Sequence, residues 1–138
     1  MDAILEGGCF CGAVRYRARS VFDTGYCHCR MCQRLHGAPA LAWVTVLIDD
    51  FEITGGTTRV FASSDRGRRH FCGDCGTQLF YCDAEDAKYV SLSATTFDDP
   101  TAVAPRAHIW TSSRVTWFDT MDDLPRSEDG SLPHTAKR

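Results

Sequence analysis

The arrangement of apolar and polar positions along this chain predicts strands far more often than helices. From Ala13 to Arg19 apolar and basic residues alternate, the two-residue period of a strand with one buried face. From Leu41 to Ile48 the run LAWVTVLI is nearly all apolar and β-branched, which predicts a central strand buried on both faces. Shorter strands are predicted at 51–53, 59–62, 69–71, 78–82, 89–93 and 107–110, and Gly55-Gly56 reads as a turn between two of them. The one helix candidate spans 30–36. Many short strands with frequent turns predict a mostly β fold, a sandwich of sheets.

The chain has 138 residues, a length suited to one domain. From Asp119 the composition becomes polar, and residues 126–138 are expected to form a flexible tail beyond a domain at 1–125. The formal charge is −3 and the pI about 5.9. This balance argues against a general nucleic-acid binder or an anionic-membrane binder, and more so with cysteines ionised. The first residues, Met1-Asp2-Ala3-Ile4-Leu5-Glu6, lack the basic and apolar regions of a signal peptide. The longest apolar run, from Ala38 to Ile48, contains Pro39 and Thr45 and falls well short of the ~20 residues of a membrane span. The expected setting is the cytoplasm.

Eight cysteines change the picture. Seven lie in tight clusters, Cys9-x-Cys11, Cys27-x-Cys29-x-x-Cys32 and Cys72-x-x-Cys75, and Cys82 stands apart. Clustered cysteines in a reducing compartment point to metal ligation rather than to a disulfide framework. Thiolates are soft ligands that suit zinc. Cys72-Gly73-Asp74-Cys75-Gly76 has the form of a zinc knuckle, in which the final glycine allows a positive φ. A knuckle supplies half a tetrahedron, and Cys9 and Cys11, within Gly8-Cys9-Phe10-Cys11-Gly12, can supply the rest. Cys27, Cys29 and Cys32 then offer three thiolates, the ligand count of a catalytic zinc with one exchangeable position. Two alternatives remain open at this level. Cys82, His28, His36 or His70 fills the fourth position, or a single zinc is shared by the middle and late clusters.

The other polar and aromatic residues are expected to play structural parts. Arg30, Arg34, Arg66, Arg68 and Arg69 can recognise carboxylates, but the default is to solvate loops or balance the thiolates. Arg15, Arg17 and Arg19 are expected to face solvent. His28 is expected to point away from its two cysteine neighbours, His108 to be a hydrogen-bonded core histidine, and Cys82 an inert buried thiol. Phe10, Trp43, Phe71, Phe80, Trp110 and Trp117 are expected in the core.

Gly8-Cys9-Phe10-Cys11-Gly12-Ala13-Val14-Arg15-Tyr16, Cys27-His28-Cys29-Arg30-Met31-Cys32 and Phe71-Cys72-Gly73-Asp74-Cys75-Gly76-Thr77, in that order, resemble the glutathione-dependent formaldehyde-activating enzyme family, which also contains centromere protein V. The softer Ser63-Ser64 and Pro105…His108-Ile109-Trp110…Trp117 fit as well. The resemblance implies a β-tent fold of stacked antiparallel sheets and two Zn²⁺ ions. Cys9, Cys11, Cys72 and Cys75 would hold a structural ion, and Cys27, Cys29 and Cys32 a catalytic one. The implied activity is that of a carbon–sulfur lyase acting on a thiol–aldehyde adduct, S-hydroxymethylglutathione, with glutathione as the small-molecule partner. The competing function is a zinc-stabilised binding module without catalysis.

Overall fold

A computed structural model describes residues 3–132. The described residues are mostly β, with ten strands and one α-helix. They fall into two compact units. One is built from the chain up to Asp23 together with Val44–Val103, the other from Thr24–Trp43 together with the chain from Ala104 onward. Strand β4 (Leu41–Leu47) supplies residues to both.

In the first unit β1 (Leu5–Gly8), β2 (Arg15–Ala18) and β5 (Phe51–Gly55) form an antiparallel sheet in the order β1-β2-β5. Alternation along β2 works as the pattern predicts. Tyr16 and Ala18 are buried, while Arg15 pairs with Asp98 and Arg17 with Glu52. A second sheet runs in the order β9-β8-β7-β6, with β6 at Arg59–Ala62, β7 at Gly67–Phe71, β8 at Gln78–Asp83 and β9 at Tyr89–Ser93, and Thr45 of β4 bonds Ser91 of β9. The two sheets stack through aromatic rings: Phe51 of β5 meets Phe80 of β8 edge-on at 4.9 Å, and Tyr16 packs against Phe51 and Phe97. Val14, Val44, Val46, Leu79, Val90 and Leu92 complete this core.

In the second unit β10 (His108–Ile109) runs parallel to β3 (Asp23–Cys27), with His108 opposite Tyr26 and Ile109 opposite Cys27. The helix α1 (Arg30–His36) follows β3 after two residues and ends at Gly37, whose φ of 60° is the left-handed conformation of a C-cap. Cys27, Cys32 and Trp43 form the buried cluster here, with Leu41, Ile109 and Leu132 packed on it.

The differences from the sequence-based expectations are local. Strands β1 and β3 lie outside the predicted set, because LEGG and DTGYC lack a clear alternation and each carries glycine, with Asp23 also unfavourable in β3. Burial around their backbones makes them strands. The 107–110 strand shrinks to two residues and pairs in parallel. Phe10, Trp110 and Trp117 are not in the core: Phe10 is 95% and Trp117 77% exposed, since both sit in turns whose backbone is fixed by other contacts. Within the polar C-terminal stretch, Trp110 N–H donates to Asp129 O, Ser112 Oγ to Glu128 O and Ser131 N–H to Asp129 Oδ1, while Leu132 packs on the buried cluster, so the described residues as far as 132 are engaged. The rest of the expected tail, 133–138, lies outside the described residues. Among the described residues no helix is long and apolar enough to cross a membrane.

Candidate functional site

Two turns of similar design gather the first cysteine group. The turn between β1 and β2 carries Cys9 and Cys11, and the turn between β7 and β8 carries Cys72 and Cys75. In each, the glycine that follows the second cysteine folds back to the first. Gly12 N–H donates to Cys9 O at 3.1 Å, and Gly76 N–H donates to Cys72 O at 2.8 Å. Gly12 and Gly76 have φ of 83° and 82° with open space around a would-be Cβ, so backbone conformation alone requires glycine there. Backbone donors point at sulfur, Val14 N–H to Cys9 Sγ at 3.2 Å and Cys75 N–H to Cys72 Sγ at 3.5 Å. All four sulfurs lie within 4.8 Å of one another.

These sulfurs compete for protons. The Thr77 hydroxyl and N–H bring Cys75 down to about 5. Burial opposes ionisation of Cys9, yet the Val14 N–H and the Cys11 thiol outweigh it and the net shift is downward. Cys11 accepts from the Ala13 N–H, but its sulfur neighbours push it up to about 12. A group of thiols in which some ionise readily and the rest are then held protonated is relieved by a divalent cation, and four convergent sulfurs match the tetrahedral thiolate set of zinc.

The second group sits where β3 runs into α1. Cys27 ends the strand. Cys29 is the N-cap residue of the helix, its sulfur accepting from Cys32 N–H at 3.3 Å, and Cys32 lies in the first helical turn. The three sulfurs again lie within 4.8 Å of one another. Cys27 and Cys32 are buried and Cys29 is partly open. Ionisation of Cys27 is pushed strongly upward, first by the Cys29 and Cys32 sulfurs and then by burial, so three thiolates here require a cation. Among the described residues no fourth Cys, His, Asp or Glu side chain joins this group. The late knuckle is grouped with Cys9 and Cys11, not with the middle cluster, so the two groups could hold two separate ions. The donor sets fit zinc.

The peptide that carries the middle cluster is held from several directions. His28 N–H donates to Ile109 O at 3.0 Å, and the buried Gln33 side chain donates to His28 O at 2.8 Å and to Ser113 O at 3.1 Å. Arg30 is engaged with Gln33 Oε1 at 2.6 Å. His28 and His108 are fully buried, and His28 Nε2 lies 2.8 Å from His108 Nδ1. His108 Nε2 in turn lies 3.0 Å from Asp122 Oδ1, while Tyr26 stacks on the His108 ring at 4.9 Å. Burial, and then His108, lower His28 to about 4. Burial opposes ionisation of Asp122, but bonds from Thr120, Leu124 N–H and His108 prevail and hold it at about 2. The short-range pattern of the sequence contains no signal for Asp122, fourteen residues from His108.

The remaining candidates have local parts. Arg66 pairs with Asp83, Arg68 bonds the carbonyls of Ser64, Asp65 and Gly67, and Arg69 lies over the Tyr81 ring. His70 stacks on Phe80 and bonds Thr58, so it belongs to neither cysteine group. Cys82 also belongs to neither, and burial pushes its thiol up.

Comparison with known proteins follows the same lines. A crystal structure of a Rhodobacter sphaeroides protein superposes with a TM-score of 0.57 at 18% identity, covering 88% of this chain and 98% of that one, a likeness of fold. A Halomonas elongata protein, provisionally named a glutathione-dependent formaldehyde-activating enzyme, is 27% identical over 126 residues, 84% of this chain and 80% of its own length. The sequence model of that family, glutathione-dependent formaldehyde-activating enzyme, matches residues 4–113. With the three cysteine clusters in order and in place, the chain belongs to this family.

Proposed function

We propose that this protein is a zinc-dependent carbon–sulfur lyase that makes and breaks a thiol–aldehyde adduct, with glutathione and formaldehyde as the pair. The observation that carries the reading is the three-sulfur group at Cys27, Cys29 and Cys32, which no fourth side chain among the described residues completes. Family membership supports the substrate pair, which is named in the family and in the Halomonas relative. Cys9, Cys11, Cys72 and Cys75 would hold a structural zinc, and the binding free energy of that ion would add to folding stability.

The reaction is an addition without redox change. The thiol sulfur bonds to the carbonyl carbon, the carbon–oxygen π bond opens, and the thiol proton ends on the new hydroxyl. Zinc, when bound, supplies positive charge that favours a thiolate and polarises oxygen. Three thiolates around a divalent ion leave a net negative charge, so binding a thiol or its adduct is favoured over strong activation of water. The chain contributes position. Cys27 and Cys32 are buried, and Cys29, partly open, lies toward the accessible side of the group.

The test is exchange between formaldehyde, glutathione and S-hydroxymethylglutathione, followed by NMR with zinc-loaded protein. Exchange should exceed the uncatalysed rate, and Cys29→Ser should abolish the excess while removing about one zinc from a protein that stays folded. Exchange at the uncatalysed rate with both groups loaded would leave a zinc-stabilised binding module.

A further inference from the structure

The middle cysteine group is carried by a peptide whose central side chain is tied into a buried row of hydrogen bonds. Asp122 begins the row. Its carboxylate accepts from Leu124 N–H at 3.0 Å and lies 3.7 Å from Arg126, so its position is set by its own loop. A carboxylate can only accept, so the proton between it and His108 Nε2 belongs to the imidazole. An imidazole that carries its one proton on Nε2 has a bare Nδ1, and the 2.8 Å contact to His28 then requires the proton on His28 Nε2. One acid thus determines two tautomers in sequence. The remaining His28 nitrogen, Nδ1, is buried and has no hydrogen-bond partner among the described residues, as expected of an acceptor left over at the end of such a row.

The row reaches the metal ligands through the backbone. Alternation along β3 puts Tyr26 and His28 on the side of His108, where both rings contact it, and Cys27 on the other side with Trp43 and Cys32. Rotation of His28 would carry the Cys27 and Cys29 peptides with it. The His108 backbone is anchored as well, its N–H on Pro125 O and its carbonyl on Ser127 N–H. We propose that Asp122, acting through His108, is a positioning residue that holds the His28 peptide so that the sulfurs of Cys27, Cys29 and Cys32 converge on one ion. The inference rests on the reading of that group as a metal site.

The test uses the whole chain titrated with cobalt(II), whose thiolate absorption reports each site, together with ¹⁵N NMR of the histidines. In the metal-loaded wild type, both His28 and His108 should show the Nε2–H tautomer. Asp122→Leu should lose the single His108 tautomer and weaken the second cobalt equivalent by about tenfold or more. The four-sulfur site should stay within about twofold and serves as the internal control of folding. Asp122→Asn, which keeps an accepting oxygen, should recover most of the loss. A wild-type His28 protonated on Nδ1 overturns the row even where the leucine variant fails to fold. Equal weakening of both cobalt sites, or none, overturns the positioning role and leaves the metal reading intact. A wild type that takes up a single equivalent overturns the metal reading and the positioning role with it.

Discussion

Gly25→Ala is a small change with a calculable consequence. Gly25 lies in β3, two residues before Cys27, and its φ is outside the left-handed region, so alanine is acceptable to the backbone. The space is not. A Cβ there would sit 2.6 Å from Trp43 Cζ2 and 2.9 Å from Ala107 O. Ordinary contacts begin near 3.4 Å, so the indole would have to retreat by most of an ångström, and the indole is a rigid ring packed on Cys27 and Cys32. The carbonyl is equally constrained, because it accepts from Tyr26 N–H at 2.8 Å. Overpacking of this kind costs about 1–3 kcal/mol. The gain from replacing a flexible glycine is about 0.4–1 kcal/mol. The midpoints of these ranges leave a loss of about 1.3 kcal/mol, which for a chain of this length lowers the melting temperature by roughly 4 °C. Thermal unfolding of zinc-loaded protein measures it. The clash is assigned by a double-mutant cycle with Trp43→Leu, in whose background the alanine should cost measurably less, the contact with Ala107 O remaining. An alanine variant as stable as the wild type, or a cost that stays the same once Trp43→Leu has removed the indole, would refute the packing argument.

Other outcomes follow from single contacts. Cys72→Ser should lose the first metal equivalent and, with it, far more thermal stability than Cys29→Ser, because the four-sulfur group ties together two turns of the first unit; metal counting and melting curves compare them. Gly76→Ala should cost about 1–2 kcal/mol through its φ of 82° alone, with no steric part, and denaturant unfolding of metal-loaded protein reads it. Burial raises Tyr16 to about 12 from an ordinary 10.0. The neutral phenol is therefore the form the fold favours, its contribution of about 2–3 kcal/mol is complete below pH 10, and it is lost as the pH rises toward 12. Tyr16→Phe should flatten that alkaline limb of the stability profile while losing the bond to Thr96, and a limb of unchanged slope would show that other groups cause it.

The 30–36 segment was the one helix candidate, next to the middle cysteine cluster, and the strands with a clear period, β2, β4, β6 and β9, were legible because local alternation and branched residues carry their own signal. Strand β3 was not. Asp23 and Gly25 are poor strand formers that flank a single β-branched Thr24, and the segment is extended because Ala107, Ile109 and Trp43, all distant in sequence, surround it. The cysteine groups were legible for a different reason: closely spaced cysteines that could hold a metal ion are a local pattern, and each cluster spans only a few residues.

By itself, then, the sequence determined which sulfurs could act together within each cluster, the mostly β character of the chain and the glycines that close the knuckle turns. These depend on short spacings and on the φ angles of single positions. Only tertiary structure decided that Cys9 and Cys11 join Cys72 and Cys75 and that the middle group has no fourth side chain among the described residues. It also decided that an acid at 122 reaches a histidine at 28 through another at 108. Such pairings bring together groups tens of residues apart, and the free energy that selects them comes from burial and hydrogen bonding of the assembled fold, which no local pattern encodes.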